Sequence, residues 1–243
     1  MPDISVVVPV RNEAGNIAPL VKEIAAALAG RDFEIVYVND GSADRTEDEL
    51  QRLAAAYPNL RQMKHAQSCG QSAAVATGVR AARGDIIVTL DGDGQNDPAF
   101  LPKLVDVLKA GGDRMGLVAG QRVGRKATGF KKFQSRVANS VRGSILRDGT
   151  RDSGCGLKAF RRDVFLRLPV FDGLHRFLPA LVRREGYEIG YLDVVDRPRG
   201  AGVSNYGFFD RLWVGILDLF GVWWLIRRRK RVPQVSEVSP HAR

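Results

Sequence analysis

Cysteine is scarce in this sequence: only Cys69 and Cys155 occur, far apart and in no C-x-x-C pair. This scarcity excludes a disulfide framework and a zinc ribbon, and it fits a reducing, cytosolic setting. Long apolar runs are also few. The first one covers residues 4–10 without a preceding basic stretch, so we interpret it as a buried strand and expect no signal peptide.

Two common nucleotide-binding signatures are missing as well. No G-x-G-x-x-G follows the first apolar run, and the sequence contains no G-x-x-x-x-G-K-[ST]. A nucleotide bound by this chain would therefore be held neither by a dinucleotide-fold glycine turn nor by a P-loop.

Charge is distributed unevenly along the chain. Residues 1–120 contain 12 Lys and Arg against 16 Asp and Glu, whereas residues 121–243 contain 25 against 11. The basic second half indicates an anionic partner, for which a phosphorylated acceptor, a membrane surface and nucleic acid are the alternatives. An unspecific basic surface is the simpler interpretation.

The first 120 residues alternate β-branched runs with segments of helical period. This pattern predicts strands near 4–10, 33–38, 60–64, 85–90 and 116–120, with helices between them, the first capped by Asn16. A helix near 132–146, a helix near 175–185 and a strand near 188–195 are predicted further on. The fold class is α/β: an open, mostly parallel sheet with helices on both faces.

Acidic and polar residues follow three of the predicted strands, where ligands bind in open α/β sheets. Asp91 and Asp93 share one side of an extended chain and can meet one cation, with Gln95 as a third oxygen ligand. Such hard ligands favour Mg²⁺ or Mn²⁺ together with substrate phosphates. A calcium loop is excluded by Asn96 and Pro102, which replace its glycine and glutamate. Ordinary turn residues remain the alternative.

Several motifs together resemble the inverting family-two glycosyltransferases of type-A fold, in particular those that transfer sugars to polyprenyl or dolichyl phosphate. The resemblance covers most of the chain and rests on five segments: Val8 to Glu13, Val38 to Ser42, Gly84 to Gln95, Gly120 to Arg122 and Arg197 to Gly207. It implies a metal-dependent enzyme that uses a UDP- or GDP-sugar.

The resemblance also implies roles for individual residues. The nucleotide-sugar would be bound by Pro9, Asn12, Glu13, Asp40, Gly41, Asp91 and Asp93, and the metal by Asp91, Asp93 and Gln95. The acceptor phosphate would be bound by Arg122, Arg136, Arg199 and Ser204, the three arginines joining Asp91 and Asp93 as the catalytic set. Asn205 departs from the lysine that is common in this family after the serine, which removes a cation from the acceptor loop.

The carboxyl-terminal segment, residues 208–231, combines an apolar run containing Asp218 with a cluster of five basic residues. The run is too short to span a bilayer, so no transmembrane helix is predicted. It favours an amphipathic membrane-interface helix and a peripheral location on the cytoplasmic face; a core or oligomer-packing helix is the alternative. The oligomeric state is left open.

We therefore predict a catalytic domain over residues 1–207, with a donor-binding half to residue 120 and an acceptor-side half after it. The membrane-interface segment and a flexible tail, residues 232–243, follow. A saccharide hydroxyl is the alternative acceptor, with Asp152 as its candidate base. A nucleic-acid-binding protein is the non-enzyme alternative, but no nucleic-acid motif is present and no nucleic-acid partner is expected.

Overall fold

A computed structural model describes residues 1–123, 142–198 and 208–228, with the side chains of the last range from residue 215 onward. Its centre is a seven-stranded sheet of order β3-β2-β1-β4-β6-β5-β7. The strands are β1 (Ile4–Val10), β2 (Phe33–Asp40), β3 (Leu60–His65), β4 (Ile86–Thr89), β5 (Met115–Arg122), β6 (Lys158–Arg161) and β7 (Glu188–Val194). The expected open, mostly parallel α/β sheet is confirmed.

Helices connect and cover these strands. They are α1 (Ala14–Ala27), α2 (Thr46–Ala56), α3 (Gln71–Ala81), α4 (Leu101–Ala110), α5 (residues 142–146), α6 (Arg162–Leu166), α7 (Leu174–Arg184) and α8 (Phe208–Arg227). The predicted helix near 132–146 is helical over its described part, residues 142–146, and its earlier part lies outside the described residues.

The prediction that Asn16 caps α1 is wrong. The helix begins at Ala14, so Asn16 lies within its first turn. Its side-chain amide donates a hydrogen bond to the Glu13 carboxylate at 2.5 Å. Asn16 thus fixes the residue that precedes the helix instead of accepting from the helix backbone.

Strand β6 was not predicted, and it is antiparallel to both of its neighbours. Ile87 pairs with Phe160 on one side, and Leu117 pairs with the same residue on the other. The segment that carries Asp152 and Gly156 leads directly into this strand. Because β6 begins beside the carboxyl end of β4, this segment lies at that end of the sheet.

Two apolar cores lie on opposite faces of the sheet. One packs α1, α2 and α4 against it, through residues such as Ile17, Leu50 and Leu104. The other packs α3, α6 and α7 against it and includes Val222 of α8. Helices on both faces leave the strand ends as the place where polar side chains can gather.

Helix α8 lies against α7, with Val222 buried at 1% exposure. Its opposite side is open: Leu217 is 69% exposed, Phe220 62% and Trp224 54%. Asp218 of α8 lies beside the start of α7, where a Cβ on Gly173 would be 2.7 Å from Asp218 Oδ2. Among the described residues, no helix combines the length with the apolar character that a bilayer crossing requires.

Candidate active site

Asp91 and Asp93 follow β4 at the centre of the sheet. The side-chain amide of Gln71, the first residue of α3, donates a hydrogen bond of 2.8 Å to Asp91 Oδ1. Asn96 Oδ1 accepts from the backbone amide of Asp91 at 2.9 Å, and Asp93 Oδ1 accepts from that of Gln95 at 3.0 Å. The loop is thus folded back on itself, and both carboxylates are fixed near one another.

Gly156 packs directly against Asp91. A Cβ at residue 156 would lie 2.5 Å from both Asp91 Oδ2 and Asn96 Oδ1, which is closer than real Cβ atoms approach a heavy atom. Glycine is therefore required at this position if the carboxylate is to keep its orientation.

The electrostatics of the site centre on Asp91. Burial, and then the negative charge of Asp93, raise the pKa of Asp91 to about 6, while Lys158 and Arg122 act in the opposite direction. Lys158 is 3% exposed and donates to the carbonyl oxygen of Cys155. Burial lowers the pKa of Lys158. The two carboxylates therefore repel each other, and the site favours an additional cation.

The residues present fit a divalent metal ion. Two neighbouring carboxylates offer hard oxygen ligands, their mutual repulsion would be relieved by a cation, and a cavity adjoins Asp91. When bound, such an ion would supply positive charge for a departing diphosphate. Gln95 follows in the same loop, and its backbone carbonyl oxygen accepts a hydrogen bond from the backbone amide of Arg197 at 2.8 Å.

Arg122, at the end of β5, is held by two carboxylates. Its guanidinium donates to Asp152 at 2.5 and 2.8 Å and to Asp196 at 3.2 Å. Burial would lower the pKa of Arg122, but these two partners outweigh burial and raise that pKa. The guanidinium is permanently charged and oriented near Asp91, where an anionic substrate group would meet it.

A cavity of about 140 Å³ adjoins Asp91 and is lined by Lys158, His175 and Arg176 among others. His175 is fixed by its Nδ1, which lies 2.7 Å from the hydroxyl oxygen of Ser72. Burial, together with the nearby Lys158, lowers the pKa of His175 to about 3. The imidazole is therefore neutral at pH 7 and contributes hydrogen bonding to the cavity, which Lys158 and Arg176 also line.

The residues predicted to bind the nucleoside lie at the ends of β1 and β2. Asn12 adopts a positive φ of 57° and accepts a bond from the backbone amide of Ala43 at 2.8 Å, and the backbone amide of Glu13 donates to Thr46 at 3.0 Å. Pro9 reaches the cavity beside Asp91. The structure brings these residues to the same edge of the sheet as Asp91 and Asp93.

Asp40 organises the loop before α3. Its Oδ1 accepts from His65 and the backbone of Cys69, and its Oδ2 accepts from Ser68 and the backbone of Gly70, all at 2.7–2.9 Å. Burial would raise the pKa of Asp40, but these hydrogen bonds outweigh it and lower that pKa. The following Gly41, at a φ of 64°, packs on Ser68 and Gln67 so closely that a side chain would clash. Asp40 therefore fixes the conformation of the loop that precedes Gln71.

Three of the predicted acceptor residues, Arg136, Arg199 and Ser204, lie outside the described residues, as does Asn205. Their roles stay predictions. Conversely, Gln71, Lys158 and His175 line the site but were not predicted. Of these three, only Lys158 could have been found from the sequence, because it is a cation close to the Gly-rich stretch that ends at Gly156.

Comparison with known proteins agrees with this geometry. The profile of "Glycosyl transferase family 2" matches residues 5–168. A dodecaprenyl-phosphate galacturonate synthase of Rhizobium johnstonii is 35% identical over 235 residues, which are 94% of this chain and 69% of that protein. An undecaprenyl-phosphate 4-deoxy-4-formamido-L-arabinose transferase of Pectobacterium carotovorum is 33% identical, over 85% of this chain and 63% of that protein. The chain thus spans roughly two thirds of each relative.

Among solved structures, glucosyl-3-phosphoglycerate synthase from Mycobacterium tuberculosis, in complex with Mn²⁺, UDP-glucose and glycerol 3-phosphate, superposes with a TM-score of 0.67. Its sequence identity is 22%, over 94% of this chain and 80% of that chain. The fold is therefore that of the type-A nucleotide-sugar transferases. The chain belongs to glycosyltransferase family 2, and it is a glycosyltransferase.

Proposed function

We propose that this enzyme transfers a sugar, with inversion, from a UDP- or GDP-sugar to the phosphate of a polyprenyl phosphate, using Mg²⁺ or Mn²⁺. The observation that carries the proposal is the neighbouring pair Asp91 and Asp93, of which Asp91 lines a cavity together with Lys158 and lies close enough to Arg122 to interact with its charge. The acceptor class is supported by the two relatives, whose names specify dodecaprenyl phosphate and undecaprenyl phosphate.

Each residue has a distinct part in the proposed reaction. Asp91 and Asp93 would hold the ion, which would supply positive charge to the donor diphosphate, and Gln71 keeps Asp91 oriented. Arg122 offers guanidinium N–H donors near the phosphates, and its two carboxylate partners, Asp152 and Asp196, hold it in place. The anomeric carbon passes from the diphosphate oxygen to the acceptor oxygen, and the leaving diphosphate is stabilised as an anion.

A phosphate acceptor would react without a general base. A phosphate monoester has a second pKa of about 6, so it is largely dianionic at pH 7 and is already a nucleophile. The candidate base for a hydroxyl acceptor, Asp152, is bound through both carboxylate oxygens by Arg122. Its pairing in this geometry counts against the saccharide-hydroxyl alternative.

We also propose that the enzyme works at a membrane surface through residues 208–231. The support is the open side of α8, where Leu217, Phe220 and Trp224 are each more than half exposed. Apolar side chains of this size gain free energy when they enter the interfacial region of a bilayer. Val222 of the same helix is buried, so α8 also packs on protein, and only its open side is proposed to meet the membrane.

The decisive experiment is incubation of the purified chain with a panel of UDP- and GDP-sugars, Mg²⁺ or Mn²⁺, and either a short polyprenyl phosphate or an oligosaccharide. Products are identified by mass. The proposal expects a glycosyl phospholipid that appears only with added metal. A glycosylated oligosaccharide with no lipid product would overturn it in favour of the hydroxyl acceptor.

A further inference from the structure

A basic groove lies between α5, α7 and α8, away from Asp91. Its volume is about 520 Å³, and its lining includes Arg147, Arg183, Arg184, Arg227 and Trp223. The helices that form it come from three separate parts of the chain. Four guanidinium groups around one concave surface form a concentration of positive charge that the proposed transfer reaction does not use.

One of these arginines is structural. Arg184 pairs with Glu185 at 2.7 Å, and both side chains are at most 10% exposed. Its Nε also donates to the carbonyl oxygen of Leu225 in α8 at 2.9 Å. Arg184 therefore fixes α8 on α7 and gives the groove a defined shape, while its own charge is neutralised.

The other three arginines are exposed and face the groove. Arg183 donates to the carbonyl oxygen of Arg147 at 2.7 Å, and the guanidinium carbon of Arg227 lies 4.2 Å from the centre of the Trp223 ring. Within the described parts of the chain, none of Arg147, Arg183 and Arg227 forms an ion pair with a carboxylate. Arginine forks of this kind match the oxygens of a phosphate group.

The surroundings of the groove distinguish a lipid from a soluble anion. Leu217, Phe220 and Trp224 follow one another at helical spacing on α8, the helix that supplies Trp223 and Arg227 to the groove. A free phosphate would use the arginines alone, whereas a phospholipid in a bilayer places acyl chains beside its phosphate. Tryptophan beside cations is typical of the boundary between the acyl chains and the headgroups of a bilayer.

We propose that this groove binds the headgroup phosphate of an anionic phospholipid while the exposed side of α8 enters the bilayer surface. The site is separate from the donor site and holds a lipid that is not consumed. It gives the enzyme a fixed attachment point, beyond the general attraction between a basic protein and an anionic membrane.

The test compares two variants that lose the same charge. Arg183→Gln/Arg227→Gln alters the groove; Lys22→Gln/Lys103→Gln alters exposed lysines on α1 and α4, over the opposite face of the sheet. Binding to vesicles of phosphatidylcholine with and without phosphatidylglycerol is measured by co-sedimentation at constant ionic strength. We expect the groove variant to lose about tenfold in affinity for the anionic vesicles, and the lysine variant about twofold.

Equal losses for the two variants would overturn the proposal, because they would show that only net charge matters. The proposal would also be overturned, in favour of a soluble-anion site, if the intact chain binds inorganic phosphate and the groove variant does not, while both bind anionic vesicles equally. The single variant Arg227→Gln, which keeps the bond from Arg183 to Arg147, is expected to show about half of the loss on a logarithmic scale. Asp93→Ala is expected to bind vesicles normally, so failure of the groove and failure of the transfer reaction are observed separately.

Discussion

The side chain of Gln71 donates a hydrogen bond of 2.8 Å to Asp91, and this bond joins the start of α3 to the end of β4. Asp40 holds the loop that precedes Gln71 through four hydrogen bonds. The orientation of one carboxylate at the centre of the site therefore depends on a second carboxylate two strands away in the sheet.

Replacement of this amide tests the dependence. In Gln71→Leu, Asp91 loses a charge-assisted hydrogen bond, and we expect the metal concentration for half-maximal activity to rise about tenfold or more. Activity is measured across a Mn²⁺ series at saturating donor. Gln51→Leu, at an exposed position on α2, is the control and should leave the series unchanged. An unaltered metal dependence in Gln71→Leu would exclude the orienting role.

Removal of the second carboxylate tests the metal site itself. Asp93→Ala should lower kcat by about a hundredfold or more, because charge stabilisation of the leaving diphosphate is lost. Thermal unfolding should change little, since Asp93 lies in a polar loop. Asp48→Ala, an exposed aspartate of α2, is the matched control. Near-normal turnover of Asp93→Ala at saturating metal would contradict the assignment.

The close packing of Gly156 predicts a further effect. In Gly156→Ala the new methyl group would lie 2.5 Å from Asp91 Oδ2 and Asn96 Oδ1, so the carboxylate must turn. We expect activity to fall about tenfold or more and stability to fall by about 1–3 kcal/mol. Gly143→Ala is the control, because nothing lies within 4 Å of its added methyl. Retention of full activity by Gly156→Ala would show that the carboxylate orientation is not critical.

A buried carboxylate far from the site controls stability in acid. Glu34 accepts from Ser5 at 2.7 Å, from Arg61 at 2.6 Å and from the backbone of Arg83 at 2.6 Å. Burial would raise the pKa of Glu34, but these bonds outweigh it and lower that pKa below its ordinary value of 4.5.

A lowered pKa means that the stabilisation by Glu34 is complete above pH 4.5 and is lost as the pH falls through the lower folded value. We expect Glu34→Gln to cost about 2 kcal/mol at pH 7 and much less at pH 3. Urea unfolding at both pH values measures the difference. The same cost at both values would mean that the charge of Glu34 does not contribute.

The open side of α8 can be tested without disturbing the helix. Truncation of the segment would also remove Val222 from the core, so point substitutions are the sharper choice. Phe220→Ser/Trp224→Ser should weaken binding to neutral vesicles by about tenfold or more, because two large apolar side chains no longer enter the interface. Leu166→Ser/Val170→Ser, which alters two residues that are each 46% exposed elsewhere, is the control. Equal binding by both variants would exclude α8 as the contact.

Much of the fold follows from local patterns. The alternation of apolar runs and helical periods locates β1 to β5 and the helices between them, because four of those strands, β1, β2, β4 and β5, are almost entirely buried. Strand β3 lies at the edge of the sheet and is only partly buried. Strand β6 escapes this reasoning since it has only four residues, begins with Lys158 and ends with Arg161. A lysine at a buried strand position is stable here only through partners that the fold supplies, which no local pattern contains.

The site divides in the same way. Asp91 and Asp93 are visible from their spacing after a strand. Gln71 and His175 lie in the first turns of α3 and α7, where nothing in the local sequence marks them as site residues. They reach the site because α3 and α7 both pack on one face of the sheet. Arg122 and Asp152 are predicted separately, but only the structure shows that they bind each other.

Helix α7 links the two surfaces discussed above. Its first turn supplies His175 and Arg176 to the cavity beside Asp91, and its last turn supplies Arg183 and Arg184 to the basic groove. At a rise of 1.5 Å per residue, these two pairs are separated by about 12 Å along the helix axis. Helix α7 therefore sets the distance between the cavity and the basic groove. If both proposals hold, an acceptor lipid would bring its phosphate across that distance while its tail stays in the membrane, so the length of α7 would set how far the lipid has to extend.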